Sequence, residues 1–320
     1  MLENKNHSRE AGIGTACTND SNPLFPPLHQ TKPVRRGRVP GFTLIELLLV
    51  ISIIALLIAL LIPGLSQARK VCFQARELSA AQQLISAFAM YADDNKSAVL
   101  PGYPTATMVS GPMIVTDESG DRITGEVAQR YPWRLAPYLD YNFRGLYKDY
   151  RLLTHLRDAE PEYISMGVDY RYVVSLFPSL GMNTAFIGGS AHHLGFNPSA
   201  LGMYGKFYIT RIDEPQRTDK LIVFCSARAE AQAALPGLAP PQGYFRVDSP
   251  YLLARNWQAT YDPNAPYPGT NSGFVACRYS GKAVTSLFDG HAATINWDDL
   301  QDMRRWADRA TNPTWRLGTR

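Results

Sequence analysis

From Phe42 to Ile62 the chain reads FTLIELLLVISIIALLIALLI, 21 residues interrupted only by Thr43, Glu46 and Ser52. At about 1.5 Å of rise per residue this helix is roughly 31 Å long, the thickness of a bilayer's hydrocarbon core. From Leu47 onward it is apolar on every side, whereas a core helix of a water-soluble domain carries an apolar stripe and a polar back. The segment therefore belongs in a membrane. Glu46 stands out within it, because a carboxylate at such a depth costs on the order of 2.5–3.5 kcal/mol unless it has a partner or a task. No Lys, Arg or His lies between Phe42 and Arg69, so the sequence predicts that the partner of Glu46 comes from outside the helix.

The rest of the composition bounds the function. With 45% hydrophobic residues in 320, the chain has material for a packed core. Its 32 Lys+Arg against 28 Asp+Glu give no basic face of the kind that binds nucleic acid. Four Cys without a C-x-x-C pair describe neither a disulfide-dense scaffold nor a zinc site. There is no G-x-S-x-G, no phosphate loop and no H-E-x-x-H, hence no sequence case for an enzyme.

The residues flanking the apolar block carry a resemblance. Arg38-Val39-Pro40-Gly41-Phe42-Thr43-Leu44-Ile45-Glu46-Leu47 resembles the processing site of type IV prepilins and type II secretion pseudopilins. In that family a membrane peptidase cuts after the glycine and methylates the new amine. The resemblance implies cleavage between Gly41 and Phe42, methylation of Phe42, and Glu46 as the fifth mature residue. It also implies partners: a prepilin peptidase/methyltransferase, other pilin or pseudopilin subunits, and the bacterial inner membrane. The freed amine has an ordinary pKa of about 7.7–8.0 and is largely cationic at neutral pH. In a neighbouring subunit it would complement Glu46 and pin the register of assembly. A membrane-anchored periplasmic binding protein that never polymerises is the alternative. So is a secreted protein released at the small-x-small triplet Ser66-Gln67-Ala68.

Three regions follow: a basic leader over 1–41, a transmembrane and amphipathic helix over 42–96, and a periplasmic head over 97–320. The leader has six Lys/Arg and three Asp/Glu with no apolar periodicity; without it 26 and 25 remain. Val34 is a candidate alternative translation start. Lys32, Arg35, Arg36 and Arg38 before the span slightly outnumber Arg69, Lys70 and Arg76 after it, which favours a cytoplasmic N-terminus. Beyond Pro63, which can kink a helix, apolar or small residues recur at Leu65, Ala68, Cys72, Ala75, Leu78, Ala81, Ile85, Phe88 and Ala92. Steps of three or four predict a helical face ending near Asp93-Asp94-Asn95.

The head reads as α+β, so the fold class is a long N-terminal helix packed on a head with an antiparallel sheet. Val99–Val127 suggests a loop or loose hairpin and Pro132–Leu139 a short helical segment. Strands are expected at Lys206–Ile212, Lys220–Ser226, Gly243–Val247, Gly273–Tyr279, Ala283–Phe288 and Ala292–Trp297, the last three as a meander. A closing amphipathic helix is expected from Asp298 to about Ala310. Tyr279 through Gly290 is similar to a prepilin-associated C-terminal motif of His, nine residues, then Asp-Gly, with Tyr279 in place of His. Trp133–Leu139 and Leu180–Asn183 loosely resemble the same group. The plainer reading of Asp289-Gly290 is a tight turn.

The remaining candidates are weaker. Cys225 and Cys277, each in an expected strand, form a candidate disulfide in an oxidising periplasm; reduced core thiols are the alternative. His192, His193 and His291 lack a pattern that fixes a metal. Asp298, Asp299 and Asp302 are candidate calcium ligands or simply carboxylates in the first turn of a helix. No cofactor is otherwise expected.

Overall fold

The computed structural model describes residues 41–147, 153–154, 156, 169–230 and 242–318. The expected leader apart from Gly41, and Val34 with it, lies outside the described residues. Two units divide the chain, residues 1–57 and 58–320. Helix α1, Leu44–Asp94, contributes to both and continues without interruption through Pro63. A proline inside a helix removes one backbone bond, and here the helix tolerates that loss. Among the described residues α1 is the one helix long and apolar enough to cross a membrane.

In the second unit four strands form one antiparallel sheet. They are β3 Leu180–Met182, β4 Ile222–Ser226, β5 Lys282–Leu287 and β6 Ala292–Asn296, adjacent in that order. A separate hairpin of β1 Val115–Thr116 and β2 Arg122–Ile123 lies in the stretch expected as a loop or loose hairpin. The expected helical segment is a helix at Tyr131–Leu135 running into a 3-10 turn at Ala136–Leu139.

Both faces of the four-stranded sheet are covered, which explains why every residue of β4 is buried. On one face Phe224, Val284 and Phe288 meet α1 residues Ala81, Leu84, Ile85 and Phe88. Phe88 packs edge-on against both Phe224 and Phe288, centroids 6.1 and 6.0 Å away. On the other face Ile222, Cys225, Ala283, Leu287 and Ile295 meet Leu300, Met303 and Trp306. Alternation along the strands sends successive side chains to the two cores, with a register irregularity between Ile222 and Phe224.

Several expected elements differ. The buried face of α1 begins only at Glu77, and Leu65 and Cys72 of the predicted stripe are exposed. The head covers only the last turns of the helix. Segments 206–212, 243–247 and 273–279 form isolated bridges, at Ile209 and Arg211, at Arg246, and at Val275 and Tyr279, and not strands. The meander is therefore a two-stranded hairpin, β5–β6. The strand that completes the sheet is β3, which sequence reasoning missed. Gly181 lets the backbone at Arg246 come so close that an added Cβ would sit 2.6 Å from it. The closing amphipathic helix resolves into a short helix at Trp297–Leu300 and a 3-10 turn at Met303–Arg305. Leu300, Met303 and Trp306 are nonetheless all fully buried, as the pattern required.

Candidate functional site

Gly41, Phe42 and Thr43 precede the first turn of α1 and have no regular structure. The peptide bond between Gly41 and Phe42 thus lies in open chain, and Phe42 is 69% exposed. A Cβ built on Gly41 would meet nothing within 4 Å. Whatever requires glycine there is not a contact within the described residues.

The three polar residues of the apolar block are each satisfied locally. Thr43 donates its backbone N–H and its hydroxyl to Oε2 of Glu46, at 2.9 and 2.8 Å, and its Oγ1 accepts the Glu46 N–H at 3.2 Å. Thr43-Leu44-Ile45-Glu46 is a capping box, in which the residue before the helix and the third residue inside it exchange hydrogen bonds. Ser52 donates to the Leu49 carbonyl at 2.8 Å. The expectation that Glu46 must look outside its own helix is corrected to this extent: its first partner is Thr43. Both Thr43 bonds end on one oxygen, Oε2. Around them the apolar side chains from Leu44 to Ile62 are exposed, a surface far larger than water-soluble proteins leave uncovered.

A second polar constellation, which sequence reasoning missed, joins α1 to the head. Glu77 is 6% exposed. Its Oε1 accepts from Ser226 Oγ at 2.6 Å and from an Nη of Arg278 at 2.7 Å, and its Oε2 accepts from Tyr279 Oη at 2.5 Å. Arg278 also donates to the carbonyls of Ser179, Ala227 and Gln242. Burial and the Glu77 carboxylate push the Tyr279 phenol well above its ordinary pKa, so it stays a donor. The signal available in the sequence was a lone acid four residues from both Phe73 and Ala81, in line with the apolar face.

Asp289-Gly290 makes the turn between β5 and β6. Leu287 N–H bonds the His291 carbonyl and Gly290 N–H the Leu287 carbonyl. Gly290 has φ +94°, while Asp289 is not in the left-handed region. The turn is the three-residue kind ending in a left-handed glycine, not one needing positive φ at both positions. Asp289 accepts the His291 N–H and pairs with the His291 ring at 2.9 Å.

Cys225 and Cys277 are both buried free thiols, so the expected disulfide is not formed. Burial raises both pKa values, that of Cys277 to about 12, which leaves little of the thiolate that oxidation needs. Cys277 also lies outside any strand, in the segment bridged at Val275. His193 lies 3.1 Å from Asp248 and 3.3 Å from Ser190 Oγ. In this Ser-His-Asp sequence of contacts Ser190 is fully buried and its Oγ accepts the His192 N–H to cap a 3-10 turn. Although burial opposes it, Arg246 and His193 hold the Asp248 carboxyl below its usual range. The His192 ring lies tilted against that of Tyr103, centroids 4.1 Å apart. Asp302 pairs with Arg304 at 2.6 Å, and the Asp299 N–H is taken by Asn296. Among the described residues no three His, Cys, Asp or Glu stand together as metal ligands.

Residues 36–62 match a family model described as the prokaryotic N-terminal methylation motif. No curated protein and no solved structure matches the chain. The match spans the residues around Gly41, Phe42 and Glu46 and does not reach Tyr279–Gly290, where the resemblance rests on the residues themselves. Over this N-terminal segment, with Gly41 before an exposed apolar helix that carries Glu46 in its first turn, the chain is similar to type IV prepilins and pseudopilins.

Proposed function

We propose that this protein is a structural subunit of a type II secretion pseudopilus or a type IV pilus, cleaved after Gly41 and methylated on Phe42. The methylation motif supports a pilin-type subunit, and prepilin peptidase and other pilin subunits are the partners it implies. Before assembly the protein sits in the inner membrane through the first part of α1, with its N-terminus cytoplasmic and its head periplasmic.

The observation that carries the reading is the state of Glu46. The capping box occupies Oε2 and leaves Oε1 for a second donor. In a separate subunit Thr43 lowers the cost of a carboxylate in the bilayer. In an assembly the methylated Phe42 amine of a neighbour meets the unused oxygen, and each charge is compensated only when the two subunits are in register. A head of more than two hundred residues is bulky for a repeating subunit, and a minor or tip position suits it.

Replacing Glu46 with Ala tests this. The variant should still be cleaved and inserted, yet fail to cross-link to neighbouring subunits in membranes where the wild-type chain does. Equal cross-linking of E46A and wild type would contradict the assembly role.

A further inference from the structure

We propose that the Tyr279–Gly290 stretch is the clamp by which the head grips α1, with Tyr279 at its first position acting as the donor to Glu77. Both ends of the stretch, and its middle, reach the helix. Tyr279 Oη lies 2.5 Å from Glu77 and 3.2 Å from the Phe73 carbonyl. Ser286 Oγ donates to the Ala81 carbonyl at 2.7 Å. Gly290 accepts from Gln82 Nε2 through its carbonyl, also at 2.7 Å.

The nine residues between Tyr279 and Asp289 supply β5 and the start of the turn, so the strand carries the chain from one grip on the helix to the other. Asp289 closes that turn by accepting the His291 N–H, and Gly290, at φ +94°, presents its carbonyl to Gln82. The Asp-Gly pair is therefore a turn with a purpose on the helix side. Tyr279 serves where the similar motif has His because the position needs a flat ring with one polar donor aimed at a buried carboxylate. Arg278 and Ser226 complete the shell around Glu77, and a buried carboxylate with three donors fixes one rotation of α1 against the head where apolar contacts alone would allow neighbouring ones.

Hydrogen exchange on the full-length protein in detergent, followed by peptide mass, tests the clamp. Tyr279→Phe keeps the ring and removes only the donor. It should speed exchange of amides in residues 77–92 about tenfold, the loss expected of one hydrogen bond to a charged group, with β6 unchanged. Tyr279→His should restore protection in acid. An imidazolium facing Glu77 has a folded-state pKa above its unfolded value near 6.5, so protection is full below that value and fades as pH rises through the raised one. The Glu77→Gln, Tyr279→Phe double variant should lose no more protection than the sum for coupled groups allows, that is, less than the two single losses added. Unchanged exchange in Y279F, equal acceleration of helix and sheet, protection in Y279H that ignores pH, or strict additivity in the double variant would each overturn the proposal.

Discussion

Two glutamates on one helix meet the problem of a charge away from water in opposite ways. Glu46 takes the help of the residue that starts its helix, Thr43, while Glu77 is enclosed by three donors from the head. Removing a donor from an enclosed charge costs more than removing one from a capping pair. Arg278→Met should therefore destabilise the head by about 3–5 kcal/mol, and Ser226→Ala by about 1–3 kcal/mol, both read from denaturant unfolding in detergent. A smaller loss in R278M than in S226A would contradict this account of Glu77. The thiols give a second residue-scale test. Of the three cysteines that follow Gly41, Cys72 is exposed while Cys225 and Cys277 are buried. Maleimide at pH 8 should label Cys72 alone in the folded protein and all three after denaturation. At this scale the Thr-x-x-Glu spacing carried the capping box, and the expectation of a partner outside the helix overlooked it. Glu77 was harder, since only its place in line with Phe73 and Ala81 distinguished it from a solvated acid.

At the scale of elements, hydrophobic pattern located what is buried better than it located what is regular. Leu300, Met303 and Trp306 are buried as their spacing required, although the chain around them makes two short turns and not one helix. Segments 206–212, 243–247 and 273–279 have the apolar content of strands. Each is paired only through isolated bridges; at 273–279 the left-handed backbone of Gly273 and Phe274 bends the chain away from a ladder. Conversely, β3 is three residues long around a glycine, too short for alternation to register. The α1 stripe was legible from Ala81 to Ala92 because steps of three and four there match real contacts, whereas Leu65, Ala68, Cys72 and Ala75 before Glu77 are exposed. Phe88→Ala should cost about 3–5 kcal/mol, since Phe88 is the ring on which Phe224 and Phe288 both close. Gly290→Ala, at a φ of +94°, should cost about 1 kcal/mol, visible as a lower unfolding midpoint without a change in slope. Equal midpoints for G290A and wild type would remove the need for glycine at that turn.

For the molecule as a whole, one segment determines where it resides and another how its helix is held. The apolar run from Leu44 to Ile62 is exposed, and on the proposed function lipid covers it before assembly and other subunits cover it afterwards. The membrane segment itself was plain from composition and length, and the methylation motif matched over residues 36–62 agrees with it. The role of the head was not legible, because its sheet pairs residues as distant as Ile222 and Leu287 and its grip on the helix joins residues as distant as Glu77 and Tyr279. The central claim is that Gly41 marks the end of a removed segment, and intact and peptide mass of the protein extracted from its native membrane tests it most directly. The account predicts a chain that begins at Phe42 and carries one methyl group on its amine. A chain that still carries Gly41, or one that begins at Arg69, would contradict it.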